Sequence, residues 1–451
     1  MPHYHAYDKS GSLKTDVGTL TFDSLVNDMA DLRKAGAALG IVNPTLIDIG
    51  NSANGRPILA LRIGKNPANR VLLVGCHHAR EWISVEVPFL VGKYLIDNYK
   101  ATPSTRKEKI INHLVDNAEI WVVPMFNPDG HLKTMTSGEH MWRANTDSVA
   151  FAKNTPIDRE IEKTPYHTGT FNDGTDDFDF KCYKIAPAAS GTTKTETEIV
   201  AAGVYEGVDL NRNYAVPTGP VGSKSPPWGT ETSDESTTAD QIAGGFFEIY
   251  NKTAAPVGAM VESGWNLTTS KSPLPSPDTF CGPSAGSEPE VQTMDALLKK
   301  GNFKSAISYH NFSQLLLYPD DAATHTETQF LGRGMKKLFK NQKVKYSYES
   351  GSGLYPTSGD SMEWAWRVHN VVNYTIELPP TNADAVANNW AFNRLPESKI
   401  QGVFESNLPV ALCAINCAIA NFTPPAPIKN KSGRVIRTPH NCWEEFKGWT
   451  P

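Results

Sequence analysis

This chain has few cysteines, no long apolar run and no excess of positive charge. Six cysteines in 451 residues (Cys76, Cys182, Cys281, Cys413, Cys417, Cys442) exclude a dense disulfide framework, while leaving room for one or two bridges. Cys413 and Cys417 stand four apart in an expected helix and read as two packed thiols. The nearest approach to a membrane span, residues 408–420, is interrupted by Pro409 and Asn416 and falls short of about 18 continuous apolar residues, so no membrane partner is expected. Met1-Pro2-His3-Tyr4-His5 lacks the charged and apolar regions of a signal peptide, which leaves the compartment open. A formal charge of -5 offers no basic field and predicts no nucleic-acid partner. The acidic stretch Asp173 to Asp179 lacks the ordered ligand spacing of a calcium loop and reads as solvated.

Apolar content is ample: 39% hydrophobic residues and ten tryptophans can fill a large core. Apolar positions at helical spacing between residues 20 and 40 are followed by a turn at Gly50 to Gly55 and strands at 58–63 and 71–75. Residues 85–99 repeat the helical pattern, and 119–126 form a strand closed by the turn Asn127-Pro128-Asp129-Gly130. This alternation predicts an α/β fold. Residues 144–206 and 215–288 break it and read as two long loop insertions. After Phe422 the chain turns Pro-rich and basic, which divides it into a unit over 1–425 and a surface-draped tail over 426–451.

Three segments end in residues that suit a metal. His78-Ala79-Arg80-Glu81 follows an apolar strand, His310 follows a second and Glu377 a third. In an open α/β sheet, groups just beyond the carboxyl ends of strands converge on one crevice. A catalytic zinc takes three ligands from His, Asp and Glu, and the His-x-x-Glu spacing puts two of them within one turn of chain. His77 competes with His78, but three positions beyond it stands Arg80, which cannot ligate.

The flanking residues carry a resemblance. Gly75-Cys76-His77-His78-Ala79-Arg80-Glu81-Trp82 resembles the first zinc motif of the metallocarboxypeptidases related to carboxypeptidase A and B. The likeness continues in order through Pro124 to Gly130, Met141-Trp142-Arg143, Gly207 to Asn213, His310-Asn311-Phe312-Ser313-Gln314, Leu354 to Asp360 and Tyr374-Thr375-Ile376-Glu377. It implies one catalytic domain: a mixed central β-sheet flanked by helices on both faces. It further implies one Zn2+ held by His78, Glu81 and His310, with Glu377 as general base and acid. Arg143 would face the scissile carbonyl, and Asn211 with Arg212 would hold the free terminal carboxylate of a peptide. Arg80 would line the cleft, Tyr355 would close over substrate, and Asp209 would orient the first zinc histidine. A monomer is the expected state.

By the same resemblance, Met362 occupies the position that sets specificity and favours apolar or aromatic C-terminal residues, because Met is flexible and apolar. Asp360, where a Gly is common, leaves room for a basic side chain. Asn311 and Phe312 replace a Ser-Tyr pair, and no inhibitory pro-segment is recognisable. Peptidase action on cell-wall or polyglutamate substrates is the second reading, although Met362 and Asp360 supply no basic pocket. A catalytically silent binding module is the third, and its loss of a ligand or base is not seen here.

Overall fold

In the computed structural model the described residues are 2–7, 11–15, 18–42, 47–136, 139–151, 160–162, 167–172, 177–183, 185–186, 193–195, 203–216, 246–251, 259–262, 285–354, 359–422, 428–429, 435–437 and 443–451. Eight strands form the central sheet: β1 (Ile47–Asn51), β2 (Pro57–Gly64), β3 (Arg70–Gly75), β4 (Glu119–Val123), β5 (Phe303–Asn311), β6 (Leu315–Tyr318), β7 (Ser347–Ser350) and β8 (Val372–Leu378). Their spatial order is β7-β6-β8-β5-β3-β4-β2-β1. The middle four, β8, β5, β3 and β4, run parallel, whereas β6 joins β8 and β2 joins β4 antiparallel.

The parallel strands are apolar without alternation because both faces are covered. Val71, Leu73, Ile120 and Val122 belong to one core cluster, and Leu72, Val74, Trp121 and Val123 to the other. The first core takes helices α1 (Leu25–Ala38), α2 (Ile83–Asn98), α3 (Arg106–Asn117), α6 (Thr326–Asn341) and α8 (Ile400–Ile419). The second takes α5 (Pro289–Leu298), α7 (Ser361–His369) and the Leu210–Tyr214 segment. Helix α4 (Pro128–Thr134) begins where the sequence suggested only a turn, because the Asn127 side chain caps it by accepting from Gly130 N.

Three further expectations change. The insertions are not bare loops: Ser148–Phe151 pairs with Gly203–Glu206, and Asp177–Tyr183 from the first pairs with Phe246–Asn251 from the second. Pro409 lies inside α8, and the span Glu397–Ile419 is long and apolar enough by composition to cross a membrane. Of its apolar window 78% is buried within the fold, as in a core helix. The end of the tail does more than drape, since Trp443, Phe446 and Trp449 join the first core. Cys413 Sγ lies 3.9 Å from Cys417 Sγ, and the two do not bridge one another; Cys413 is the free thiol expected, whereas Cys417 is engaged in a disulfide and is not the second thiol the sequence suggested.

Candidate metal centre

Only glycine fits at Gly75, the last residue of β3: a Cβ there would collide with the Ser84 carbonyl and lie 3.0 Å from the Pro124 carbonyl oxygen. Cys76 then turns the chain with φ 59°, in the left-handed region, and its N–H donates to Ser84 Oγ at 3.0 Å. This sharp exit presents two adjacent histidines to different surroundings. His77 turns toward the second core, with Nε2 3.1 Å from Tyr214 Oη and Nδ1 3.3 Å from Ser308 Oγ. Burial, then the neighbouring His310 and His78, hold His77 well below the usual histidine range, so it is neutral. Its ring stacks on His310 at 5.4 Å, and its nitrogens are directed elsewhere.

His78 faces the cleft. Its Nδ1 lies 2.6 Å from Glu81 Oε1, His310 Nδ1 lies 3.0 Å from Glu81 Oε2, and the two Nδ1 atoms are 3.1 Å apart. All three residues are buried. Two imidazole nitrogens pointed at one another and at a carboxylate make a converging donor set that could hold a metal ion. Between ligands of a tetrahedral zinc with bonds of about 2.0–2.1 Å about 3.3 Å is expected, so the His310 separations of 3.0 and 3.1 Å are slightly short and the His78–Glu81 separation of 2.6 Å must open by about 0.7 Å to seat the ion. Burial would raise the Glu81 carboxyl, but His78 and His310 hold it well below the usual range, which keeps it an anion.

Around this set lies a chain of charge. His78 Nε2 faces Asp209 Oδ1 at 3.3 Å, and Arg143 donates from Nε and Nη2 to Asp209 Oδ2 at 2.9 Å. Burial would raise Asp209, yet Arg143, His78 and Arg212 keep it well below the carboxylate range. Such an outer carboxylate fixes the direction of a ligating imidazole. The Ala79 N–H donates to the Arg143 carbonyl at 2.8 Å, tying the His78 turn to the Trp142-Arg143 segment. Glu377 is the register partner of His310 across β5 and β8 and is half-buried. Burial and the charge of Glu81 push its carboxyl well up, against the pull of Arg143 and Arg212.

Arg212 is buried and donates to the Asn211 carbonyl at 2.7 Å. Asn211 Oδ1 accepts from Ser361 N at 2.9 Å. Gly359, at φ +70°, is packed so closely on Arg212 that a Cβ would strike its carbonyl, which locks the 359–362 segment to the arginine. Arg80 lies 4.1 Å from the Phe392 ring centre and donates to the Met141 carbonyl at 3.0 Å. Met362 is buried and contributes, with Trp364, Tyr214 and His77, to the lining of a mainly apolar pocket. Asp360 Oδ1 accepts from Met362 N at 3.0 Å and Glu363 N at 2.9 Å, which gives the residue a second role as the N-cap of α7. The spacing Asp360-x-x-Glu363 before an apolar helix carried that signal. Tyr355 and the acidic stretch Asp173 to Asp179 lie outside the residues whose side chains are described.

A zinc carboxypeptidase family profile matches residues 43–409. The chain belongs to that family. Zinc carboxypeptidases carry one zinc, and the His78, Glu81 and His310 group agrees with that requirement. Curated relatives include carboxypeptidase A6 of Mus musculus, 23% identical over 348 residues, covering 74% of this chain and 55% of the relative. Human carboxypeptidase B is 24% identical over 378 residues, covering 80% of this chain and 63% of the relative. The chain thus spans less than two thirds of the length of these relatives. An inactive metallocarboxypeptidase of Ajellomyces capsulatus is 31% identical over 167 residues, 35% of this chain and 27% of that protein. Among solved structures, bovine thrombin-activatable fibrinolysis inhibitor in complex with tick carboxypeptidase inhibitor shares the fold. It has a TM-score of 0.53 and 20% identity over 89% of this chain and 98% of that one. Carboxypeptidase A from Helicoverpa armigera gives 0.52 and 19% over 88% and 74%.

Proposed function

We propose that this zinc carboxypeptidase family member is an active exopeptidase that removes single C-terminal residues from peptides. The observation that carries the reading is the convergence of His78 Nδ1, His310 Nδ1 and Glu81, with Glu377 in register beside them. In this reading His78, Glu81 and His310 hold the zinc, which when bound supplies Lewis acidity and an activated water. Glu377 accepts the proton from the attacking water on its carboxylate and returns it to the leaving amine. Arg143, held in direction by Asp209, stabilises the developing oxyanion. Arg212 and Asn211 receive the terminal carboxylate, for which a guanidinium fork is well shaped. Arg80 lines the approach, and Tyr355 is proposed as the closing tyrosine.

Met362, flexible and apolar, supports a preference for large apolar or aromatic C-terminal residues. Asp360, whose Oδ1 caps α7, keeps its negative charge beside Met362, so cleavage after Lys or Arg is the second specificity in this reading. The test is a mass-spectrometric time course on peptides ending in Phe, Leu, Lys, Arg or Glu, each also with an amidated terminus. Stepwise trimming of the free acids, fastest for Phe and Leu and stopped by a zinc chelator, is expected. The inactive relative gives the second reading its basis: zinc bound without trimming of any peptide would make this chain a binding module on the same fold.

A further inference from the structure

A second group of metal-competent side chains lies at the amino-terminal end of the described structure, on elements that supply none of the residues discussed above. Strand Tyr4–Ala6 pairs in parallel with Gly18–Ser24, and His5 is the register partner of Asp23. Helix α1 follows directly and carries Asp28 in its first turn. His5 is buried, and Asp23 and Asp28 are half-buried. His5 Nε2 lies 3.2 Å from Asp28 Oδ2, and one donor atom from each of the three residues lies within 4.8 Å of the others.

The other nitrogen of His5 is already fixed. Glu86, fully buried in the first turn of α2, accepts from His5 N at 2.8 Å through Oε1 and sits 2.7 Å from Nδ1 through Oε2. Phe89 packs against the imidazole at 4.3 Å between ring centres. A carboxylate that binds one imidazole nitrogen, so that the other is aimed at a cation, is the outer-sphere arrangement common at metal-ligating histidines. The charge balance points the same way. Glu86 and Asp28 share His5 as their only ion-pair partner among the described residues, and Asp23 has none there. A divalent ion on Nε2 in place of a proton would neutralise one charge more than the imidazolium does. One imidazole and two carboxylates, open to water on one side, suit a borderline ion such as Zn2+.

We propose that His5 Nε2, Asp23 and Asp28 form a second divalent-metal site, oriented by Glu86 and separate from the catalytic centre. The test counts metal: the chain is stripped with a chelator, reloaded with Zn2+, freed of excess and analysed by elemental mass spectrometry. Two zinc ions per chain are expected, falling to one in Asp23→Asn/Asp28→Asn with peptide hydrolysis unchanged, and to one in His310→Ala. A single zinc that is lost in the double variant and kept in His310→Ala would support this site and sink the centre above. A zinc content that the double variant leaves unchanged overturns the proposal. Asp28→Asn alone, at a half-exposed position, serves if the double variant does not fold; its second zinc should bind at least tenfold more weakly.

Discussion

Glu377 and Glu290 are both acids pushed upward by burial, with opposite consequences. At Glu377, half-buried beside His310, the raised carboxyl is placed for proton transfer. Glu377→Gln should lower kcat by about 10²–10⁴-fold while zinc content is retained, measured by steady-state kinetics alongside metal analysis. Glu290, in the first turn of α5, is fully buried and shares Asn145 with Glu288. Burial and the charge of Glu288 raise it from 4.5 to about 7, against the Ala53 N–H it accepts. The folded chain therefore keeps a proton that the unfolded chain releases above about 4.5. The contribution of Glu290 to stability should fall as pH rises from about 4.5 to about 7, by on the order of 2–3 kcal/mol, and level off above that. The buried neutral His131, lowered by burial to about 3, acts in the opposite direction below about 6.5, so the Glu290 part is read as the difference between the urea-unfolding profiles of the wild type and Glu290→Gln, which should narrow over this window. Neither environment is legible from residue type: a Glu near a helix start reads as a favourable surface charge until the fold places Glu288, Asn145 and the Ala53 loop around it.

At the scale of elements, the exit of β3 governs how the two histidines part. Gly75→Ala would drive a methyl into the Ser84 carbonyl at the start of α2, displacing Cys76 to His78. A loss of about 3 kcal/mol is expected, in the range of overpacked cores. Zinc content should fall with it, read from thermal melts and metal analysis of the same preparation. Much of this scale could be read in advance. The apolar runs ending at Gly75, near His310 and near Glu377 predicted strands delivering polar groups to one crevice; that these strands run parallel is a finding of the structure, and their continuous apolarity fits burial on both faces. Helix α4 and the cap of α7 were hidden for the same reason as each other: Asn127 and Asp360 were read as turn or pocket residues, when each satisfies free backbone N–H groups at a helix start. The His5, Asp23 and Asp28 group gave no signal, since two of its members meet only through strand pairing.

For the whole molecule, bound zinc stabilises the native chain because the unfolded chain has no assembled site. At free zinc a thousandfold above its dissociation constant the gain is about 4 kcal/mol, and chelation should lower Tm by several degrees, reversibly on adding Zn2+. Calorimetry of stripped and reloaded protein checks this; an unchanged Tm would argue that none of the proposed donor sets grips an ion. The α/β class, the mixed sheet and the covered faces followed from periodicity and resemblance. The strands inside 144–206 and 215–288 did not, because short segments set among Ser, Thr, Pro and Gly acquire β structure from partners far along the chain, as when Asp177–Tyr183 meets Phe246–Asn251.

The pairing of β3 with β5 joins Gly75 to Tyr309 across both insertions. Closing so wide a circuit is slow, since the chain must search before any contact rewards it, but lengthening it further is cheap: each doubling of a flexible connection adds only about 0.6 kcal/mol. His78 and Glu81 are neighbours in the chain from the moment of synthesis, whereas His310 joins them only when that circuit closes. Uptake of metal into the three-sided grip therefore marks the moment of closure, and a zinc-sensitive dye followed during refolding would time it.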